Sequence, residues 1–210
     1  MAHDENHDLK LNIAAAILLG LSTIATAWCA YQATLWGGVQ TFCLADANRA
    51  SRSVFKNEIR ADQTRALHAM VFMQYVSAIS TSNNVMAAFY LQRIGGEFKP
   101  ALDAWLKTNP FESTNAPPHP FAMPEYKLHA LEDAARFERA AAAKMQAAEE
   151  ANVHSDDYVL VTVVLASVLF LGGVAGQFSS RRLKIMVFFI GVAMFIAGVA
   201  LALSLPITLN

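Results

Sequence analysis

Three apolar blocks, at residues 11–36, 158–178 and 183–205, constrain this chain more than anything else in it. Each approaches or exceeds the ~20 residues that a helix needs to cross a ~30 Å hydrocarbon core. Residues 158–178 carry no charge, and 183–205 carry only Lys184, at the edge. The runs are continuous rather than alternating, and an open sheet cannot satisfy its backbone in lipid, so helices are expected. The blocks account for a composition with 16% charged residues, against ~25% in an ordinary soluble domain.

The expected fold is an all-α membrane protein with three transmembrane helices, 11–36, 158–178 and 183–205. A long extramembrane helical hairpin or bundle, 37–157, lies between the first and second. A tail at 1–10, a basic turn at 179–182 and a short tail at 206–210 complete the division. Topology follows from the turn. Arg181, Arg182 and Lys184 sit in a very short loop, where the positive-inside rule counts most. Asp156 and Asp157 mark the opposite end of the second span. This predicts a cytoplasmic N-terminus and turn, with 37–157 outside. The flanks of the first span taken alone slightly favour the reverse, because the leading tail is acidic. Long domains translocate largely regardless of charge, so the short loop decides.

The tail holds His3, Asp4, Glu5, His7 and Asp8, residue types that can bind a divalent ion. A short chain end offers no rigid cage, and a disordered terminus is expected. The first block could be a cleaved signal peptide ending near Ala25-Thr26-Ala27. Its apolar character continues past that point, which favours an uncleaved helix. Trp28, Tyr31 and Trp36 at its far end, and Tyr158 at the start of the second span, read as interfacial anchors. Cys29 and Cys43 would lie ~21 Å apart on one helix, too far for a bridge, so both read as small apolar residues.

Gly37-Gly38 reads as a hinge or kink where the chain leaves the membrane. Residues 39–94 contain neither Gly nor Pro and are rich in helix formers. Ser80-Thr81-Ser82-Asn83-Asn84 is the best break in that run, since such side chains compete for the backbone and favour turns and caps. Segment 67–91 is apolar, but its polar centre argues for bundle core or tip rather than a fourth span. Gly95-Gly96 closes the next helix, and a short one is expected at 99–107. Five of the seven prolines fall in 109–124, which makes that segment a loop wrapping the far end of the bundle. Residues 125–157 have no breaker before the second span. One helix over 125–178 is expected, antiparallel to one at 40–79.

Catalytic chemistry is hard to find. No Asp, Glu, Lys, Arg or His lies inside a span, Lys184 being interfacial, where proton relays would need one at depth. Phosphate-binding loops, nucleophile elbows and zinc-protease spacings are absent. His129 and Asp133, four apart on one helix, are weak candidates for a metal site; solvated side chains are the plainer reading. A formal net charge of −1 gives no basic field for nucleic acid. Gly172 and Gly176, with Gly191 and Gly198 on the third span, are small residues that let membrane helices approach closely, within one chain or between copies. Ser22, Thr23, Thr26, Gln32 and Thr34 could line a water-filled path or hydrogen-bond neighbouring helices; the second is the reading taken.

The segments Ala27-Trp28-Cys29-Ala30-Tyr31-Gln32-Ala33-Thr34-Leu35-Trp36, then Glu97-Phe98-Lys99-Pro100-Ala101-Leu102-Asp103-Ala104-Trp105-Leu106, and Pro117-Pro118-His119-Pro120-Phe121-Ala122-Met123-Pro124-Glu125-Tyr126 carry a resemblance. The chain resembles, over nearly its whole length, a group of uncharacterised bacterial three-span membrane proteins with AWxxYQAxxW and PFAMPEY segments. The resemblance implies a bacterial inner-membrane setting and transfers no catalytic residue. The expected function is a homo-oligomeric helical membrane scaffold or accessory subunit with a projecting periplasmic stalk, a pore being one form of it. The alternative is an extracytoplasmic ligand or stress sensor acting through a partner. Neither an enzyme nor a bound cofactor is expected. The expected partners are the lipid bilayer, further copies of the chain and, in the sensor reading, another membrane protein.

Overall fold

The computed structural model describes residues 2–178 and 180–209. Five α-helices and one 3-10 turn build the described chain: α1 (Ala2–Ser80), α2 (Asn84–Arg93), α3 (Lys99–Leu106), the turn Pro120–Ala122, α4 (His129–Ala175) and α5 (Arg181–Ser204). Among the described residues there is no strand, and the fold is all-α. The helices α1, α4 and α5 each contain a stretch long and apolar enough to cross a membrane.

Two compact units divide the chain. One comprises the residues up to Ala45 together with those from Lys144 onward; the other is Asp46–Ala143. In the first, α4 supplies the central seam. Ala148, Ala151, Tyr158, Val161, Leu165, Val168 and Ala175 are all buried. Their steps of three, four and seven residues keep one helical face turned to its neighbours. On α1 the facing residues are Leu18, Ser22, Cys29, Gln32 and Ala33. The outward faces, with Ile13, Ile17, Ile24, Phe170, Phe189 and Ile196, are exposed and apolar, as a lipid-facing surface must be. Contacts fix the directions. Leu19 lies against Gly172, and the Ser155 hydroxyl donates to the Ala33 carbonyl at 3.0 Å, so α1 and α4 run antiparallel. Gly191 meets Leu18 and Gly198 meets Leu165, so α5 runs with α1 and against α4.

The second unit is a small helical head. Its core comprises Phe72, Tyr75 and Ala78 of α1, Ala87 of α2, Ile94, Phe98, and Leu102 and Trp105 of α3. Taken out of water, each large apolar side chain buried stabilises by about 1.5–3 kcal/mol. The chain turns after Ser80 because Ser82 adopts a left-handed φ of 57° and Asn83 caps α2, its side chain accepting from the Met86 N–H at 3.1 Å. Gly96, at φ +59°, makes the next turn, where an L side chain would be strained.

Several expectations are corrected here. Gly37 and Gly38 do not end or interrupt a helix; α1 continues through both. Two glycines cost about 2 kcal/mol against alanine, and the good helix formers and packed faces on either side outweigh that. The helix expected from residue 125 begins at His129, because Met123–Tyr126 closes a turn, the Tyr126 N–H donating to the Met123 carbonyl at 3.0 Å. Arg181 and Arg182 are not in the turn but open α5, with Ser180 as the N-cap residue. Helix α1 begins at Ala2, so the tail expected to be disordered is helical backbone. The side chains of its His/Asp cluster, and Ser179 in the basic turn, lie outside the described residues.

Candidate functional site

Two clusters of specific side chains stand out, one in each unit. The first is the aromatic centre of the head. Phe98 is fully buried and stacks on both Phe121, at 5.1 Å, and His68, at 5.0 Å. Phe72 meets Phe98, Trp105 and Phe121 edge-on. Offset and edge-to-face geometries are the ones that ring quadrupoles favour, adding about 0.5–1.5 kcal/mol per pair beyond burial. The Trp105 indole N–H donates to the Pro117 carbonyl at 2.7 Å, which ties the proline-rich loop to α3.

A polar rim borders these rings. The Tyr126 hydroxyl and His68 Nδ1 share a hydrogen bond at 3.1 Å. Glu97 Oε1 accepts from the His129 backbone N–H at 3.2 Å and also pairs with its Nδ1. Glu97 thereby caps the start of α4, where a carboxylate also meets the positive helix end. Burial lowers the His68 pKa, and the Glu97 charge opposes that only in part. For Glu97, burial pushes upward, but the hydrogen bonds and charge of His129 and the charge of His68 outweigh it, so the carboxyl sits below its ordinary range. His129 is raised, chiefly by its hydrogen bond to Glu97 and then by that carboxylate's charge. Burial likewise raises the phenol of Tyr126. The rim therefore holds two histidines tuned in opposite directions.

The second cluster, in the first unit, is a clamp on the C-terminal segment. Gln32 is fully buried. Its Nε2 donates to the Thr208 carbonyl at 3.3 Å, and its Oε1 accepts from the Thr208 N–H at 3.1 Å. The side-chain amide thus pairs with a backbone unit as a second peptide would. The Pro206 carbonyl accepts from Trp36 Nε1 at 3.0 Å and from the Tyr158 hydroxyl at 3.3 Å. Pro206 ends α5, and the polar groups of the first span and Tyr158 receive the chain beyond it. Next to this clamp the Trp36 ring packs on His154 at 4.7 Å. In the same unit a cavity of about 200 Å³ is lined by Leu11, Asn12, Leu19, Gly172, Lys184 and Phe188, among others.

The residues singled out in the sequence are distributed as follows. Trp28 and Tyr31 are exposed and adjacent, their rings 6.0 Å apart, as membrane anchors would be. Tyr158 is fully buried and bonded to Pro206, so it is a clamp residue rather than an interfacial anchor. Gly172 faces the first span, not the third: a Cβ there would stand 2.5 Å from Leu19 Cδ2. Gly198 faces α4, where a Cβ would stand 2.9 Å from Leu165 Cδ2, and Gly191 is placed where α1, α4 and α5 meet. Gly176 lies past the end of α4, in the turn. Thr23, Thr26 and Thr34 donate to carbonyls four residues back on their own helix. His129 pairs with Glu97, and Asp133 pairs with Arg136 at 3.1 Å, so the two do not converge. Among the described residues no three His, Cys, Asp or Glu side chains form a metal-ligand group. Cys29 and Cys43 are both free.

Sequence reasoning missed the Glu97 cap and the Thr208 partner of Gln32. A lone Gln in an apolar helix was a signal that some buried backbone or side chain needed it. Glu97 carried no comparable signal, because its partner is 32 residues away. Compared with family models, with curated proteins and with solved structures, the chain has no match in any of the three.

Proposed function

We propose that this chain is a homo-oligomeric membrane scaffold or accessory subunit of a bacterial inner membrane, with a cytoplasmic N-terminus and a periplasmic head. The observation that carries the reading is α1. It contains the first candidate span and runs without interruption to Ser80, and its Phe72, Tyr75 and Ala78 belong to the core of the head. One unbroken helix therefore supplies both a candidate span and part of the core of the head. Arg181, Arg182 and Lys184, at the short connection between α4 and α5, support the orientation through the positive-inside rule. Thr23, Thr26, Gln32 and Thr34 of the first span have partners within the chain, and the Ser22 hydroxyl is buried without one; this favours a scaffold over a pore through a single copy. A lumen, where one exists, lies between copies.

The test is the mass of the protein component in lipid nanodiscs by light scattering. Multiples of 22.9 kDa are expected, and a single copy at every protein concentration refutes the oligomer. A sensor acting through a partner is the second reading. It is favoured by the rim of His68, Tyr126, Glu97 and His129, which links α1, the segment before α3 and the start of α4. A thermal-shift screen of the full chain against small ligands and pH separates the two, since a scaffold shows no ligand-dependent stabilisation.

A further inference from the structure

On the part of α1 that lies in the head, the buried positions are Ala47, Ala61, Phe72, Tyr75 and Ala78. At 3.6 residues per turn the opposite face passes through Phe55, Ile59, Ala66, Met70 and Met73, within an arc of roughly 60°. The four large residues of that stripe are 58–65% exposed. A helix face turned directly away from its own core normally carries polar residues; this one is apolar, in a stretch that otherwise bears the charge of an aqueous segment.

The flanks of the stripe are of opposite sign. Glu58 and Asp62 border one side and Lys56 the other; farther round, Arg65 follows on the first side and Arg60 on the second, all five exposed. Asp62 also reaches Arg65 on its own helix at 3.3 Å, an exposed pair of small worth. Two identical helices packed through this stripe have only two symmetric options. In a parallel pair, the two-fold axis brings the acidic flank of each helix against the basic flank of the other. In an antiparallel pair, acidic meets acidic and basic meets basic. Copies inserted in one membrane with one orientation also send α1 out in the same direction. Charge and topology therefore select the same arrangement.

The geometry points to a second copy of this chain as the occupant of the Phe55–Ile59–Met70–Met73 stripe, packed parallel and two-fold symmetric. The inference rests on the oligomeric reading above and names its interface. Such pairing is isologous and closes at two chains along this surface, and its charge contacts weaken as salt rises.

The test uses the full chain in membranes, in a background with Cys29 and Cys43 replaced by alanine. Ile59→Cys and Met70→Cys should each form an intermolecular disulfide at dimer mass. Arg139→Cys, at an exposed position on α4, should not. Glu58→Lys with Asp62→Lys should lower the Ile59→Cys crosslink at least about fivefold, and adding Lys56→Glu with Arg60→Glu should restore it. Apart from the two background cysteines, these positions are exposed, and helical circular dichroism checks that each variant folds. Crosslinks that ignore the charge changes, that form equally at Arg139→Cys, or that capture a protein of another mass overturn the proposal. Multimeric mass without stripe crosslinks refutes this interface alone; a monomeric mass refutes the oligomer as well.

Discussion

Replacing Gln32 with leucine removes the clamp on the C-terminal segment while keeping the volume of the side chain close. Two hydrogen bonds go, the 3.3 Å bond to the Thr208 carbonyl and the 3.1 Å bond from its N–H. Each such bond is worth about 0.5–1.5 kcal/mol net, so docking of Thr208 should weaken by about 1–3 kcal/mol. That corresponds to roughly 5–150-fold in the equilibrium between docked and released segment. The bonds from Trp36 and Tyr158 to Pro206 remain, so release is confined to the residues after Pro206. Residue-resolved hydrogen exchange on the protein in nanodiscs reads this directly. The Thr208 amide should exchange roughly 5–150 times faster in Gln32→Leu, and the Leu205 amide, bonded to the Ala202 carbonyl, much less so. A Thr208 rate within a factor of about two of the parent would mean that Gln32 does not hold the segment.

Three further expectations concern glycine and histidine. A Cβ at Gly38 meets nothing within 4 Å, so Gly38→Ala should raise thermal stability by up to about 1 kcal/mol; a loss would restore the hinge reading. Gly172→Ala should destabilise, because Leu19 Cγ and Cδ2 stand 3.0 Å or less from the new atom, whereas Gly191→Ala makes only ordinary contacts at 3.7 and 3.9 Å and should be neutral or better in the same melts. In NMR titrations His129 should lose its proton above the ordinary histidine value and His68 below it, and Glu97→Gln should return His129 toward the ordinary value. The raised His129 contributes stability that is present below its ordinary pKa and lost as pH rises through the folded one. The depressed Glu97 contributes stability present above its ordinary pKa and lost as pH falls through the folded one. Their pair therefore supports the head between the carboxylate and histidine ranges. The depressed His68 adds stability above its ordinary pKa that is lost as pH falls through the folded one.

The helical class was legible because apolar run length is a direct physical requirement of lipid. The turn after Ser80 was legible too, because Ser80–Asn84 is a run of side chains that compete for the backbone, and Asn83 among them caps α2. Gly37-Gly38 misled: local propensity marks a weak point, but the faces packed along α1 decide whether the helix breaks. Tyr158 misled because an amphipathic ring near a membrane boundary suits a lipid interface and a buried hydrogen bond equally well. The facing partner of Gly172 was not legible, since a small residue shows that something comes close without showing which helix. The two clusters stayed hidden for one reason. The Gln32–Thr208 pair spans 176 residues, and the head rings come from α1, α3 and the proline-rich loop, with no period to announce their meeting.

The most direct test of a parallel oligomer is the distance between identical spin labels on two chains, measured by pulsed dipolar spectroscopy in nanodiscs. One sample carries a label at Asn48 and another at Gln74, both exposed on α1 on either side of the stripe. A parallel pair puts both label pairs at similar short separations, below roughly 30 Å. An antiparallel pair centred on the stripe would spread the Asn48 labels to roughly 48 Å at 1.5 Å per residue. Two short distances are the predicted result; one long distance, or no dipolar signal at either position, would contradict it.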